Sequence, residues 1–160
     1  DETKTEEDNP ICLVQKLSYL KANSVAREKL GIIIAADTVV KLDGEILEKP
    51  KTVNEAYKML TSLSGTTHQV VTGVTIVVEN QSFTDYQQTE VVFKNLTTAE
   101  IEDYVATREP MDKAGGYGIQ GKGAIFVKKI NGCFYNVVGL PLAKLIGMLK
   151  QMGVKLKFNE

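Results

Sequence analysis

The chain lacks an excess of charge of either sign, because 19 lysines and arginines face 20 aspartates and glutamates among its 160 residues. Proteins that bind duplex nucleic acid carry an excess of basic residues to meet the phosphates, so no nucleic-acid partner is expected. No apolar run approaches the roughly 18 to 20 residues that cross a bilayer, so no membrane partner is expected either. A small anionic ligand is compatible with this balance, since a few lysines are enough to bind it.

Cysteine and histidine are also scarce. Cys12 and Cys133 lie far apart and form no Cys-x-x-Cys pair, and His68 is the only histidine. A zinc site is therefore not expected, and a reduced, cytoplasmic protein is favoured. Since His68 stands beside Gln69 in an extended pattern, we expect it to be structural rather than catalytic.

Helical and extended patterns alternate along the chain, which favours an α/β fold with a mixed sheet and flanking helices. Helices are predicted to begin at the caps Asn9, Thr52 and Thr97 and at Pro141, the first ending at Gly31. Strands are predicted at 32–36, 67–79, 86–94, 124–130 and 133–137, with a hairpin at 38–47 that turns at Asp43-Gly44 and a polar connection at 80–85. Without a linker or repeat, residues 1–160 are predicted to form a single domain.

Asp37 directly follows the continuous apolar run 32–36, which fits a strand that is buried on both faces. A carboxylate where such a strand leaves the core is held rigidly at the sheet edge. There it could bind a divalent cation or take a proton from water. The local sequence alone slightly favours a plainer role, in which Asp37 caps a turn through its own backbone.

Two other segments could bind phosphate. Lys49 is stiffened by the following Pro50, and its charge suits phosphate oxygens, although a solvated surface lysine is the commoner outcome. Residues 112–123 contain five glycines, which let a backbone approach a ligand closely. Lys113 adds a charge there, and the amide of Gln120 both donates and accepts. Because the loop has neither the Walker A nor the GxGxxG pattern, a binding role and a structural one are equally open.

Five segments occur in the order and spacing of one family: AADTVV at 35–40, EKP at 48–50, HQVVTGV at 68–74, EPMDKAGGYGIQG at 109–121 and NVVGLP at 136–141. In these segments the chain resembles the Maf family of nucleoside triphosphate pyrophosphatases. The resemblance implies an elongated fold related to the inosine triphosphate pyrophosphatases, with a cleft between two lobes. It implies hydrolysis of a nucleoside triphosphate to the monophosphate and pyrophosphate, dependent on a divalent cation, magnesium or manganese. A homodimer is a further expectation by analogy.

The resemblance also implies roles for particular residues. Asp37 would be the catalytic acid/base that activates water and would bind the cation, and Lys49 would hold the triphosphate. With glutamine at position 120, the glycine-rich loop is similar to the branch of the family that acts on dTTP and UTP. The implied substrate-binding residues lie near the phosphates or the base: Lys21, Thr38, Lys113 and Gln120.

The family pattern begins with an apolar strand and a Ser-x-Ser-Pro-Arg-Arg loop, and neither has a counterpart in this sequence. We therefore expect residues 1–160 to form an N-terminally incomplete Maf domain. Because the arginines of that loop would grip the triphosphate, a second hypothesis is a truncated, non-catalytic module that binds nucleotides or a partner.

Overall fold

The structure, a computed structural model, describes residues 8–158. Its helices are α1 (Pro10–Ala26), α2 (Val53–Leu63), α3 (Thr98–Ala106), α4 (Phe134–Val138) and α5 (Leu142–Gln151), and its strands are β1 (Ile33–Leu42), β2 (Glu45–Leu47), β3 (Thr67–Val78), β4 (Gln81–Phe93) and β5 (Val127–Asn131). Short 3-10 helices cover Glu109–Asp112, Ala114–Gly116 and Lys122–Phe126. No helix in the described part of the chain is long and apolar enough to cross a membrane.

The strands form one sheet in the order β2-β1-β3-β4-β5, with β3 at its centre. The predicted α/β architecture, a sheet with flanking helices, is confirmed. Every pair of neighbouring strands within residues 8–158 is antiparallel, so the predicted mixed pairing is not found among these residues. Side chains alternate between the two faces of a strand, and α1 covers one face of β3 while α4 and α5 lie against the other.

The helix caps behave as the sequence predicts. The side chain of Asn9 accepts from the backbone N–H groups of Ile11 and Cys12, which fixes the start of α1. Thr52 and Thr97 cap α2 and α3 in the same way. The end of α1 differs from the prediction, because the helix stops at Ala26 and a turn precedes Gly31.

Both tight hairpins turn on two residues with positive φ, the geometry of a type I′ turn. Asp43-Gly44 was recognisable as such a turn, with φ of 47° and 84°. The polar connection predicted at 80–85 is wrong, because Glu79-Asn80 alone makes the turn and β4 begins at Gln81. Residues 81–85 pair with β3 and are exposed at 81–82 and partly buried at 83–85, so a polar stretch here is strand with one side toward solvent.

The prediction that the run 32–36 is a strand buried on both faces is wrong. β1 extends from Ile33 to Leu42, and Ile34 is 44% exposed. The reason is its position at an edge: β2 pairs with β1 only from Val40 onward, so within residues 8–158 the first part of β1 pairs with β3 alone. Asp37 therefore lies inside a strand, neither at its end nor at a turn.

The predicted strand at 133–137 is also wrong, because these residues form α4. The segment is held to the sheet by the side chain of Asn136, whose Nδ2 donates to the Val70 carbonyl at 3.1 Å and to Thr89 Oγ1 at 2.9 Å. Thr89 Oγ1 in turn donates to the Cys133 carbonyl at 3.1 Å. These tertiary hydrogen bonds outweigh the β-branched propensity of Val137 and Val138.

His68 is a core residue, which confirms the structural role expected for it. Its ring is 1% exposed, and its Nε2 lies 2.6 Å from the hydroxyl of Tyr117. The ring also meets Phe93 edge-to-face at a centroid distance of 4.9 Å. Burial lowers the pKa of His68 to about 4, so the folded protein holds a neutral imidazole at neutral pH.

This burial predicts a pH-dependent stability. An unfolded histidine titrates near 6.5, whereas folded His68 stays neutral until the pH approaches 4. The contribution is therefore complete above pH 6.5 and is lost as the pH falls through this window. We expect the free energy of unfolding to drop by about 2 kcal/mol between pH 7 and pH 5, measured by urea denaturation.

His68→Asn is the control for this measurement. Because His68 is the only histidine, its removal should flatten the curve between pH 7 and 5, whatever the variant's absolute stability. A wild-type curve that is already flat in this range contradicts the assignment.

Candidate active site

A cavity of about 530 Å³ lies beside β1 and contains every site residue selected from the sequence. Its lining comes from β1, α1, Val70 of β3, the segments at 49 and 109–121, and residues 137–139 at the end of α4. The six selected residues that line it are Lys21, Asp37, Thr38, Lys49, Lys113 and Gln120. Residues that are up to 99 positions apart in the sequence thus face one space, where a single ligand could contact them all.

Asp37 and Thr38 are consecutive in β1 and therefore point to opposite faces of the sheet. Asp37 lies on the side of α1, where the Lys21 Nζ is 2.6 Å from its Oδ2. Thr38 lies on the other side, with its Oγ1 2.9 Å from Thr72 Oγ1. Both residues reach the same cavity because this stretch of β1 has a strand neighbour on only one side among residues 8–158.

Lys49 is exposed at the cavity, between Glu48 and the buried Pro50. Its segment is attached to the glycine-rich loop, because the Gly115 N–H donates to the Glu48 carbonyl at 3.1 Å. A hydrogen bond and the charge of Lys113 hold the pKa of Asp112 below its usual value, with a smaller contribution from the charge of Lys49. The two lysines therefore act on one region of the cavity.

The glycine-rich loop packs against β1 at Gly115, where there is no room for a side chain. A β-carbon on Gly115 would lie 2.7 Å from Val40 Cγ2, and φ at Gly115 is +72°. Glycine is therefore required there both by space and by backbone conformation. This close contact places the following residues, up to Gln120, along the cavity, and the Gln120 side chain is exposed.

The carboxylate of Glu109 is the centre around which the second half of this loop folds. Tyr104 Oη donates to its Oε1 at 2.8 Å, and the backbone N–H groups of Lys122 and Gly123 donate at 3.0 and 3.2 Å. Tyr104 Oη also accepts from the Gly118 N–H at 3.0 Å. Burial alone would raise the pKa of Glu109, but these hydrogen bonds outweigh it and keep the pKa below its usual value.

Glu109 was not selected from the sequence as a site residue, although it opens the segment 109–121. Its signal is the set of glycines that follows it. A β-carbon on Gly121 would lie 2.5 Å from both carboxylate oxygens, and one on Gly118 would lie 3.2 Å from Oε1. Three glycines within six residues, Gly118, Gly121 and Gly123, indicate a backbone that wraps a side chain as well as one that approaches a ligand.

The carboxylates that line the cavity differ in their availability to a cation. Both oxygens of Glu109 accept hydrogen bonds, whereas Asp112 and Asp37 each use one oxygen to pair with a lysine, Lys113 at 2.9 Å and Lys21 at 2.6 Å. Within the described residues no three His, Cys, Asp or Glu side chains group as metal ligands. The donor set therefore fits a magnesium ion held by one carboxylate together with phosphate oxygens and water, the carboxylate that the resemblance implies being Asp37, and does not fit a cation held by protein groups alone.

Comparisons with known proteins match this chain to one family and to enzymes that share one name. The sequence pattern of the family described as Maf-like protein matches residues 1–152. A dTTP/UTP pyrophosphatase of Bacillus pumilus is 54% identical over 142 residues, which are 88% of this chain and 75% of that protein. Enzymes of the same name from Carboxydothermus hydrogenoformans and Thermosipho africanus are 52% and 49% identical over 91% and 96% of this chain, and the matches cover 80% and 79% of their own lengths.

The wrapping of the loop around Glu109 predicts that Gly121→Ala destabilises the protein. The added methyl group would displace the carboxylate or the loop, and overpacking of this kind costs about 1–3 kcal/mol. Urea denaturation measures the loss. Gly147→Ala is the matched control, because Gly147 is exposed in α5 with nothing within 4 Å of a β-carbon. The control should be unchanged or more stable by up to about 1 kcal/mol, and equal stability of Gly121→Ala and wild type would count against the wrapped loop.

Proposed function

The chain belongs to the Maf-like protein family, and on that premise we propose that it hydrolyses dTTP and UTP to the nucleoside monophosphate and pyrophosphate. The observation that carries the proposal is the gathering of six residues selected from the sequence around one cavity. At about 530 Å³, the cavity has the size of pockets that bind small organic ligands, which are typically some 300–1,000 Å³. The relatives that carry this activity in their names are about half identical to the chain over most of its length.

The phosphate end of the substrate is assigned to the lysines. Lys21, Lys49 and Lys113 all line the cavity, and each presents a compact positive charge to phosphate oxygens. Attack at the α-phosphorus places negative charge on the transferred phosphoryl oxygens and on the departing pyrophosphate. Fixed cations that face this charge stabilise the transition state more than the bound substrate, and this difference accelerates the reaction.

Asp37 is assigned to the attacking water. Its Oδ2 is paired with Lys21, and the same Lys21 Nζ donates to the Ala36 carbonyl at 3.4 Å, so the carboxylate is held at a fixed place on β1. A water that is hydrogen-bonded to Asp37 would lose its proton to the carboxylate as it attacks phosphorus. Lys21, which is paired with Asp37, would offset the negative charge of the substrate phosphates that approach this carboxylate.

The base end is assigned to Thr38 and Gln120. The Thr38 hydroxyl lies on the face of β1 opposite Asp37, and Gln120 lies across the cavity on the glycine-rich loop. The Gln120 amide makes no hydrogen bond within residues 8–158, so it is available to pair with the edge of a pyrimidine, which both donates and accepts.

We also propose that magnesium or manganese takes part, with Asp37 as the protein ligand. When bound, the cation would neutralise part of the triphosphate charge. A cytoplasmic location is proposed as well, since Cys12 and Cys133 are free thiols that suit a reducing compartment. Assembly as a homodimer is proposed from the family resemblance.

The proposal is tested by measuring pyrophosphate release from dTTP, UTP and CTP in the presence of magnesium. Turnover of dTTP and UTP is the expected result. If the chain binds these nucleotides in a calorimeter but releases no pyrophosphate, the second hypothesis, a non-catalytic nucleotide-binding module, replaces the enzymatic one.

Asp37→Asn should lower kcat for dTTP and UTP by about 100- to 10,000-fold, because the amide cannot accept the proton of the attacking water. The fold should survive, since the residue is near-isosteric, and urea denaturation checks this. Asp103→Asn is the control, because Asp103 is an exposed carboxylate on α3 that does not line the cavity. Full activity in Asp37→Asn would remove this residue from the reaction.

Lys49→Ala should lower kcat/KM by about 100- to 1,000-fold through the loss of one fixed charge on the triphosphate. Lys51→Ala is the matched control, because Lys51 is equally exposed two positions along but lies outside the cavity. Steady-state kinetics with UTP separates the two variants. Equal losses in both would mean that position 49 acts only through the general charge of the surface.

A further inference from the structure

Thr38 belongs to a chain of three oxygen atoms that leads from the cavity into the core. Its Oγ1 lies 2.9 Å from Thr72 Oγ1, and Thr72 Oγ1 lies 3.2 Å from the carbonyl oxygen of Asn136. Thr38 and Thr72 are direct partners across β1 and β3, so they share one face of the sheet. Thr72 is fully buried, whereas Thr38 lines the cavity.

The direction of these hydrogen bonds follows from proton counting. The Asn136 carbonyl can only accept, and each threonine hydroxyl has one proton to donate. There are two close oxygen–oxygen contacts and two hydroxyl protons, and only one arrangement places a proton in each contact. Thr72 donates to Asn136, and Thr38 donates to Thr72. The Thr38 oxygen then faces the cavity with its lone pairs and no proton.

The Asn136 end of this chain of oxygen atoms is held in place by several hydrogen bonds. Asn136 is fully buried, and its Nδ2 donates both to the Val70 carbonyl and to Thr89 Oγ1. Its carbonyl also accepts from the Gly139 N–H at 3.0 Å, which helps to end α4. Because these bonds hold the carbonyl in place, the Thr72 proton keeps its partner when the cavity fills or empties.

We propose that this relay fixes the Thr38 hydroxyl as a hydrogen-bond acceptor and thereby makes the cavity select a nucleobase that carries an N–H at the middle of its pairing edge. This inference rests on the proposed function. Uracil and thymine carry a proton on N3, whereas N3 of cytosine is an acceptor. With cytosine, the lone pair of N3 would face the lone pairs of the Thr38 oxygen, and no hydrogen bond would form. Polar groups left unpaired in this way discriminate strongly against the ligand that leaves them unpaired.

The test measures kcat/KM for UTP and for CTP in variants of the relay. Thr72→Val keeps the shape of a buried β-branched residue but removes the acceptor of the Thr38 proton, which is then free to point into the cavity. We expect the preference for UTP over CTP to fall by at least about tenfold, as for the loss of one hydrogen bond. Thr72→Ser keeps the hydroxyl and should retain the preference within about twofold.

Thr75→Val controls for the loss of a buried hydroxyl from the same strand. Thr75 is fully buried, but its Oγ1 bonds to Ser18 and Thr84 at 2.9 and 2.8 Å, away from the cavity lining. It should keep the wild-type preference. If Thr72→Val does not fold, Thr38→Val replaces it, because this change on the cavity side removes the acceptor itself and should bring UTP and CTP within about twofold.

The outcomes separate the relay from the proposed function. Turnover of UTP with an unchanged preference in folded Thr72→Val overturns the relay and leaves the function standing. If wild type turns over neither dTTP nor UTP, the proposed function fails, and the relay is then decided by the ratio of the UTP and CTP dissociation constants in a calorimeter. A ratio that is the same in wild type and Thr72→Val overturns the relay there too.

Discussion

The antiparallel register between β1 and β3 is the constraint on which the rest of the site depends. It places Asp37 opposite Gly73 and Thr38 opposite Thr72. At Gly73 a side chain has no room, because a β-carbon there would collide with the backbone of Val14 in α1. Helix α1 therefore lies directly on the sheet, and Lys21, two turns further along, reaches Asp37. A slip of one residue would exchange the faces of Asp37 and Thr38 and separate both from their partners.

The carboxylate of Glu109 fixes the glycine-rich loop, as the strand register fixes Asp37 and Thr38. Glu109 accepts hydrogen bonds from Tyr104 and from two backbone N–H groups, so the positions of its oxygens fix the backbone of the turn around Gly121. On the inner side, Tyr117 rests on the buried ring of His68. The Glu109 carboxylate and the contact between Tyr117 and His68 thus order the glycine-rich segment from within. This order is what lets Lys113 and Gln120 have defined positions.

The sequence was a good guide wherever a short-range rule decides the structure. The caps Asn9, Thr52 and Thr97 and the turn Asp43-Gly44 follow from local chemistry, and all four are confirmed. The site residues selected from the sequence all line one cavity. They could be selected together because a match of several separated motifs to a family carries three-dimensional information that no single motif has. The catalytic and binding roles assigned to them stay predictions.

The sequence failed where long-range contacts decide. Residues 133–137 look like a strand, yet hydrogen bonds from Asn136 to Val70 and Thr89 make them a helix, and nothing local announces those partners. The apolar run before Asp37 suggests full burial, but burial depends on how many strands flank β1, which composition cannot show. Glu109 escaped selection because its partners are mostly backbone N–H groups, which leave no mark in a sequence except the glycines that make room.

In the proposed function, the alternation of side chains along β1 separates the role of Asp37 from that of Thr38. The side chain of Asp37 pairs with Lys21 of α1. The side chain of Thr38 is bonded to β3 and, through Thr72, to α4, so the two side chains have no ion-pair or hydrogen-bond partner in common. Chemistry at phosphorus and choice of base are thus assigned to opposite faces of one strand. If the proposed roles hold, substitutions behind Thr38 would change the base that the cavity accepts and would leave the geometry around Asp37 as it is.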